Sequence, residues 1–201
     1  MYRKRLGSIL LYLLCFWGIP VHAQEYPHLQ GKIEVNAING FIKCELTITN
    51  FPQYEDPVFV LNKGMNIQYI KLGNRTIPYN TDYGLHTRSA YLNEGLAYSP
   101  VIDSITKKMA FQLKYTGAFP VYGNDVSDNA YDDDQGKIVF KNKILRASYM
   151  TKLCPFLYDR STGNLMTKYS YDLQVSLKGF AASTIIINEN LPKNGANCNG
   201  A

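Results

Sequence analysis

The stretch KIEVNAINGFIKCELTIT, residues 32–49, decides the fold class of this chain. Polar and apolar side chains alternate through residues 32–38 and again through residues 41–49, with Asn39-Gly40 between the two runs. A period of two puts one kind of side chain on each face of a β-strand. Asn-Gly between two such runs favours a type I′ turn, which needs positive φ at both central residues. The stretch therefore predicts a β-hairpin that turns at Asn39-Gly40.

Similar strand patterns continue along the chain. Further candidate strands cover residues 58–62, 66–72, 76–79, 109–116, 137–140, 144–149, 168–177 and 183–188. Pro78 restricts the third of these to a sheet edge, because proline donates no ladder hydrogen bond. No window of helical length carries a sustained apolar stripe at helical spacing. About a dozen short strands predict an all-β fold, either a single antiparallel β-sandwich or a saddle-shaped sheet.

The N-terminus has the features of a secretory signal peptide. Arg3, Lys4 and Arg5 precede a mostly apolar run over residues 6–19, and residues 21–23 read as a cleavage site. We expect residues 1–23 to be removed, residues 24–190 to form the β-domain and residues 191–201 to be a flexible polar tail. The mature chain is then expected to be secreted or periplasmic, without membrane contact.

The positive charge of the chain is reduced when this segment leaves. The whole sequence has 21 Lys and Arg against 16 Asp and Glu, a formal charge of +5. Three basic residues leave and no acid does, so the balance becomes 18 against 16, or +2. This small charge removes the main argument for a nucleic-acid partner, and we expect none.

Three cysteines remain in the predicted mature chain: Cys44, Cys154 and Cys198. An odd number leaves at least one thiol unpaired within the chain. Cys44 shares the apolar face of its run, so we predict that it is buried as a small hydrophobic residue. Export permits disulfides, and a Cys154–Cys198 bridge is one pairing among the three that the sequence leaves open.

Several segments, taken in order, resemble the N-terminal β-domain of aminopeptidase N-like zinc peptidases, the gluzincins. They are residues 31–35, 46–50, 58–67, 111–117, 155–156 and 171–176, all of them strand and turn features. In this family such a domain precedes a helical catalytic domain. The resemblance therefore implies a β-fold first, and a function only by analogy.

The catalytic features of that family are not found in this sequence. The resemblance implies a zinc signature, H-E-x-x-H with a downstream Glu, but the predicted mature chain has only His28 and His86, in unrelated polar contexts. It also implies a Gln or Glu that anchors the substrate amine, and residues 146–152 at the matching place contain neither. We expect no catalytic residues, no zinc and no enzymatic activity of this chain by itself.

An acidic segment over residues 123–136 holds five aspartates and no Lys or Arg. Carboxylate and carbonyl oxygens in one loop suit a hard cation such as Ca²⁺, although the spacing is not that of an EF-hand. Two interpretations stay open, an exposed acidic loop and a calcium site. The ligands of a calcium site would be Asp125, Asp128, Asp132 and Asp134.

The expected function is that of a binding or scaffolding module, or of a subunit or fragment of a split peptidase. Its partner would be a separately encoded peptidase chain or another exported protein. The alternative is a carbohydrate- or surface-binding β-sandwich, because the predicted mature chain keeps all tyrosines except Tyr2 and Tyr12. A protein partner predicts an exposed apolar or edge-strand surface, and a sugar predicts an aligned row of exposed tyrosines. An enzyme predicts a deep pocket with converging acids.

Overall fold

The computed structural model describes residues 26–51, 57–82, 95–102, 109–122, 138–141, 144–146, 151–160, 163–166 and 168–180. Several predictions lie outside these ranges: the signal peptide, the strand at residues 183–188, the acidic segment at residues 123–136 and the tail at residues 191–201. They stay predictions.

The described residues form fourteen strands and no α-helix. The strands are β1 (His28–Asn36), β2 (Phe41–Thr49), β3 (Pro57–Asn62), β4 (Met65–Leu72), β5 (Arg75–Thr76), β6 (Tyr79–Asp82), β7 (Gly95–Pro100), β8 (Phe111–Ala118), β9 (Val121–Tyr122), β10 (Val139–Lys141), β11 (Ile144–Arg146), β12 (Phe156–Asp159), β13 (Asn164–Met166) and β14 (Ser170–Lys178). The all-β prediction is confirmed. No helix in this part of the chain is long and apolar enough to cross a membrane.

The strands are arranged in three sheets. Sheet A has the order β14-β1-β2-β8-β4-β5, sheet B has the order β13-β12-β3-β7-β6, and sheet C has the order β11-β10-β9. The two short strands on either side of Pro78, β5 and β6, lie at the edges of sheets A and B. The single strand predicted over residues 76–79 is therefore wrong, because Ile77 and Pro78 belong to no strand and separate β5 from β6. The edge position is confirmed, since the strand on each side of Pro78 lies at a sheet edge.

The predicted hairpin is present, but its turn differs from the prediction. β1 and β2 pair antiparallel with Asn36 opposite Phe41, so four residues connect them instead of two. Gly40 has φ +70°, whereas Asn39 does not have the positive φ that a type I′ turn requires. The side chain of Asn36 accepts a hydrogen bond from the Ile38 N–H, and that of Asn39 accepts one from the Phe41 N–H. These two local bonds stabilise the longer loop.

Sheet A has one buried and one polar face. In β2, the four side chains Ile42, Cys44, Leu46 and Ile48 are all within 2% of full burial, and the residues between them are partly exposed. This alternation confirms that Cys44 is buried. The inner face of β8 contributes Phe111, Leu113 and Tyr115 to the same core.

Sheet B is buried on both faces, which explains the unbroken apolar run of β3. Phe59 and Leu61 face the main core between the sheets. Val58 and Val60 belong to a second cluster on the opposite face, together with Ala97, Phe156 and Tyr158. When both faces of a strand are covered, its side chains on both faces are apolar, so its sequence does not alternate between polar and apolar residues.

Strand β14 pairs parallel to β1 over nine residues, so sheet A is mixed instead of purely antiparallel. The predicted apolar face of β14 is confirmed, because Leu173 and Val175 are buried while Tyr171 and Leu177 are half-buried. Parallel neighbours need a long crossover, and here the whole of sheet B lies between β1 and β14 along the chain.

Candidate functional site

The outer face of sheet A carries a ladder of ion pairs. Lys114 Nζ lies 2.8 Å from Glu45 Oε1, and Lys43 Nζ lies 3.1 Å from Glu34 Oε1 and 3.8 Å from Glu45 Oε1. The hydrogen bond between Lys114 and Glu45 lowers the pKa of the Glu45 carboxyl and raises the pKa of the Lys114 ammonium. The charges of this row therefore compensate one another across neighbouring strands.

Tyrosines do not form a row on this polar face. On its described strands Tyr69 is the one tyrosine, opposite Lys114 in β8, and Lys71 Nζ lies 4.4 Å from its ring centroid. The aligned row of exposed tyrosines expected of a sugar-binding sheet is thus not present in this part of the molecule.

A group of exposed apolar side chains lies at one end of sheet A. We name it the hairpin patch, and it consists of Ile38, Phe41, Val121 and Tyr122, with exposed fractions of 66%, 39%, 43% and 40%. The Phe119 N–H donates a 3.0 Å hydrogen bond to the Gly40 carbonyl, so the chain entering β9 lies against the β1–β2 loop. A Cβ at Gly40 would lie 3.0 Å from Val121 Cγ2, which places Val121 beside the loop that bears Ile38 and Phe41.

Close packing on glycines holds the backbone beneath the hairpin patch. A Cβ at Gly64 or Gly117 would lie 2.7 or 2.6 Å from carbon atoms of the Phe119 ring, so this ring sits directly on both glycines. A Cβ at Gly179 would lie 2.5 Å from Ile38 Cγ1. The patch is therefore displayed on a well-packed scaffold, as a preformed binding surface requires.

Buried polar groups connect β3 to residues 151 and 152. Asn62 Nδ2 donates a 2.8 Å hydrogen bond to the Thr151 carbonyl, and the Asn62 N–H donates one of 3.0 Å to the Lys152 carbonyl. Lys152 is 2% exposed and has φ +52°. These two hydrogen bonds connect residues 151 and 152 to the end of β3.

Two thiols and a phenol lie close together in the main core. Cys44 stands opposite Tyr115 in the β2–β8 register, and the Tyr115 hydroxyl donates a 2.8 Å hydrogen bond to the Leu153 carbonyl, next to Cys154. Cys44 and Cys154 are both free thiols in the structure. Cys198 lies outside the described residues, so the Cys154–Cys198 bridge stays a prediction.

Burial keeps these three groups protonated at neutral pH. It raises the pKa of the Cys154 thiol from 9.0 to about 12, and it raises the pKa of Cys44 and of Tyr115 well above their ordinary ranges. The thiolate is the reactive form of cysteine, so both thiols are poor nucleophiles at neutral pH. The cluster is structural.

We expect the protein to lose stability as the pH rises above about 9. The thiols and the phenol release protons in the unfolded chain before they do so in the folded chain, because their folded pKa values are raised. Each group contributes a loss of up to about 1.4 kcal/mol per pH unit between its unfolded and folded pKa. Urea unfolding under reducing conditions should show the decline, and Cys154→Ala should make it shallower between pH 9.0 and about 12. Identical slopes for the two proteins would contradict this assignment.

The predicted metal ligands are not tested by the structure. Asp125, Asp128, Asp132 and Asp134 all lie outside the described residues, and calcium binding stays a prediction. Within the described ranges no three His, Cys, Asp or Glu side chains come together to hold a metal ion. His28 Nδ1 lies 2.9 Å from Ser170 Oγ at the start of β1 and β14, and His86 lies outside the described residues.

Comparison with known proteins gives likeness in structure only. No protein-family model matches the chain, and no curated protein matches its sequence. Yeast LTA4 hydrolase in complex with bestatin is similar over 82% of this chain and 27% of its own, with a TM-score of 0.36 and 8% identity. A non-cellulosomal cohesin from Archaeoglobus fulgidus is similar over 75% of this chain and 88% of its own, with a TM-score of 0.28 and 8% identity.

A second cohesin shows the same level of likeness. The third cohesin ScaC of Acetivibrio cellulolyticus, solved with the ScaB dockerin, is similar over 76% of this chain and 99% of its own, with a TM-score of 0.27 and 10% identity. This chain spans about a quarter of the length of the hydrolase, 27%. Likeness at these identities concerns the β-fold alone.

The hairpin patch was not predicted from the sequence, which contains one signal for it. Phe41 lies on the same polar face of β2 as Lys43 and Glu45. An aromatic residue at that position departs from the alternating pattern. Val121 and Tyr122 carry no such signal. The position of Val121 beside Gly40 depends on a contact between segments about 80 residues apart.

Proposed function

We propose that this chain is an exported, non-catalytic binding module that contacts a protein partner through the hairpin patch. The observation that carries the proposal is the clustering of exposed apolar side chains. Five large apolar side chains are exposed in the described part of the chain, and four of them belong to this patch; the fifth is Val101. Scattered apolar residues are normal on surfaces, whereas several exposed apolar residues around one loop favour an interaction site.

The resemblance to aminopeptidase N-like peptidases suggests what the partner is. In that family the β-domain belongs to the same assembly as a catalytic zinc domain, and this sequence has no zinc signature. We therefore propose a separately encoded, exported zinc peptidase chain as the partner. An apolar patch among polar strands is the surface that such a partner would cover.

Affinity capture from the native exported fraction tests this proposal. Residues 24–201 serve as bait, and the bound chains are identified by mass spectrometry. Val121→Asp puts a charge into the hairpin patch, and Val101→Asp makes the same change at an exposed valine outside it. We expect a zinc peptidase chain on the unchanged bait and on Val101→Asp, and at least about tenfold less of it on Val121→Asp.

Three results would contradict the proposal. They are equal recovery on both variants, recovery of no peptidase chain, and recovery of glycans alone. The last of these would favour the carbohydrate-binding alternative.

A further inference from the structure

Strand β14 forms one edge of sheet A and is unlike the opposite edge. Its nine residues pair with β1 without a register shift, and no other described strand pairs with it. The opposite edge is β5, which has two residues and is followed closely by Pro78, and its neighbour β4 contains a β-bulge. Short strands, proline and bulges protect an edge against pairing. β14 has none of these features.

Residues 179 and 180, which follow β14, contact the β1–β2 loop and β10. The Ala37 N–H donates a 2.9 Å hydrogen bond to the Lys178 carbonyl, and Gly179 lies directly against Ile38. The ring centroid of Phe180 then lies 6.4 Å from that of Phe140 in β10. The first two contacts lie on the β1 side of the strand, and none of the described residues pairs with the opposite side of β14.

We propose that a second copy of this chain pairs with β14, antiparallel about a two-fold axis through Val175. A two-fold axis perpendicular to a sheet makes two identical edge strands antiparallel and keeps their inner faces on the same side. The two six-stranded sheets then form one continuous sheet across the dimer.

The choice of register follows from the alternation of β14. Odd-numbered residues face the core and even-numbered residues face outward, so a symmetric pairing must place odd opposite odd and even opposite even. Centred on Val175, the pairing sets Leu173 opposite Leu177 and Gln174 opposite Ser176. The apolar inner face therefore continues from one copy into the other.

Charge complementarity favours this register over the registers centred on Gln174 and on Leu173. With Val175 on the axis, Asp172 stands opposite Lys178 of the second copy, and the symmetry repeats this pair. Both residues belong to the outward-facing set. A register centred on Gln174 sets Asp172 opposite Ser176, and one centred on Leu173 sets Lys178 opposite Lys168. Opposite charges directly across an antiparallel pair stabilise it, and like charges destabilise it.

A charge exchange in the full exported chain tests the dimer. Sedimentation over a wide range of protein concentration should show the unchanged protein at twice the mass of a single chain. Lys178→Asp places two aspartates opposite each other at both ends of the pairing, and we expect at least about tenfold weaker association. The double variant Asp172→Lys with Lys178→Asp restores opposite charges and should restore the dimer. Lys63→Asp makes the same charge change in the β3–β4 turn and should leave the dimer intact.

A monomer at all concentrations would overturn the proposal. So would a dimer that Lys178→Asp does not weaken, or a double variant that stays as weak as Lys178→Asp. The test is separate from that of the hairpin patch, because Val121→Asp should leave the dimer unchanged.

Discussion

Replacing Gly31 with alanine is expected to lower the free energy of unfolding by about 3–5 kcal/mol. Gly31 lies within β1, between β14 and β2, and has φ +143°, a conformation that side-chain-bearing residues rarely adopt. A Cβ there would lie 2.2 Å from the Glu45 carbonyl oxygen and 3.0 Å from Leu46 Cα. Both are backbone atoms of β2, which pairs on its other side with β8, so neither can move without breaking ladder bonds.

A second glycine provides a matched control. Gly73 also has a positive φ, +59°, but a Cβ there would have no atom within 4 Å. Gly73→Ala should therefore cost only about 1 kcal/mol, from the backbone conformation alone. Urea unfolding of both variants measures the difference. Equal losses would mean that the contact with β2 at Gly31 is relieved by a small shift.

Truncation of Phe111 to alanine is expected to cost about 3–5 kcal/mol. Its ring is fully buried and lies edge-on to Phe51 and Phe59, with centroid distances of 5.0 and 5.4 Å. Phe111 belongs to sheet A and Phe59 to sheet B, so the rings join the two layers. The loss is a large part of the 5–15 kcal/mol by which domains are usually stable.

The control for this prediction is Phe41→Ala on the same sheet. Phe41 is 39% exposed, and its truncation should cost less than about 1 kcal/mol. A double-mutant cycle with Phe59→Ala should show a coupling of about 0.5–1.5 kcal/mol between Phe59 and Phe111. Strictly additive effects in urea unfolding would contradict a direct role of their ring contact.

Strands with one buried face could be predicted from the sequence because burial alternates along them. β2 and β14 show this, with Cys44 and Val175 on the inner face as the pattern indicates. The run from Val58 to Leu61 predicts a strand, but only the second apolar cluster shows that this strand is covered on both faces. The hydrophobic periodicity of a strand indicates which of its faces is buried, but it does not indicate which element of the fold covers that face.

The candidate site was much less predictable. Asn39-Gly40 marked a turn, but the side-chain hydrogen bonds of Asn36 and Asn39 determined a four-residue loop, and that loop exposes Ile38. The acidic segment is recognisable in the sequence because its five aspartates lie within residues 123–136. An apolar patch is built from single residues of distant segments and leaves almost no local trace.

The sequence by itself determined strands such as β1, β2, β8 and β14 and their inward faces, since these depend on side-chain alternation. The missing N–H donor of Pro78 also indicated a sheet edge there. The sequence did not predict β7, β9, β12 or β13. Only the tertiary structure decided that β14 pairs parallel to β1 and forms an edge, and that β9 lies beside the β1–β2 loop. Those arrangements depend on which distant segments bury each other's apolar surface. The pairing of distant segments depends on the packing of the whole core, so it cannot be predicted from a short stretch of sequence.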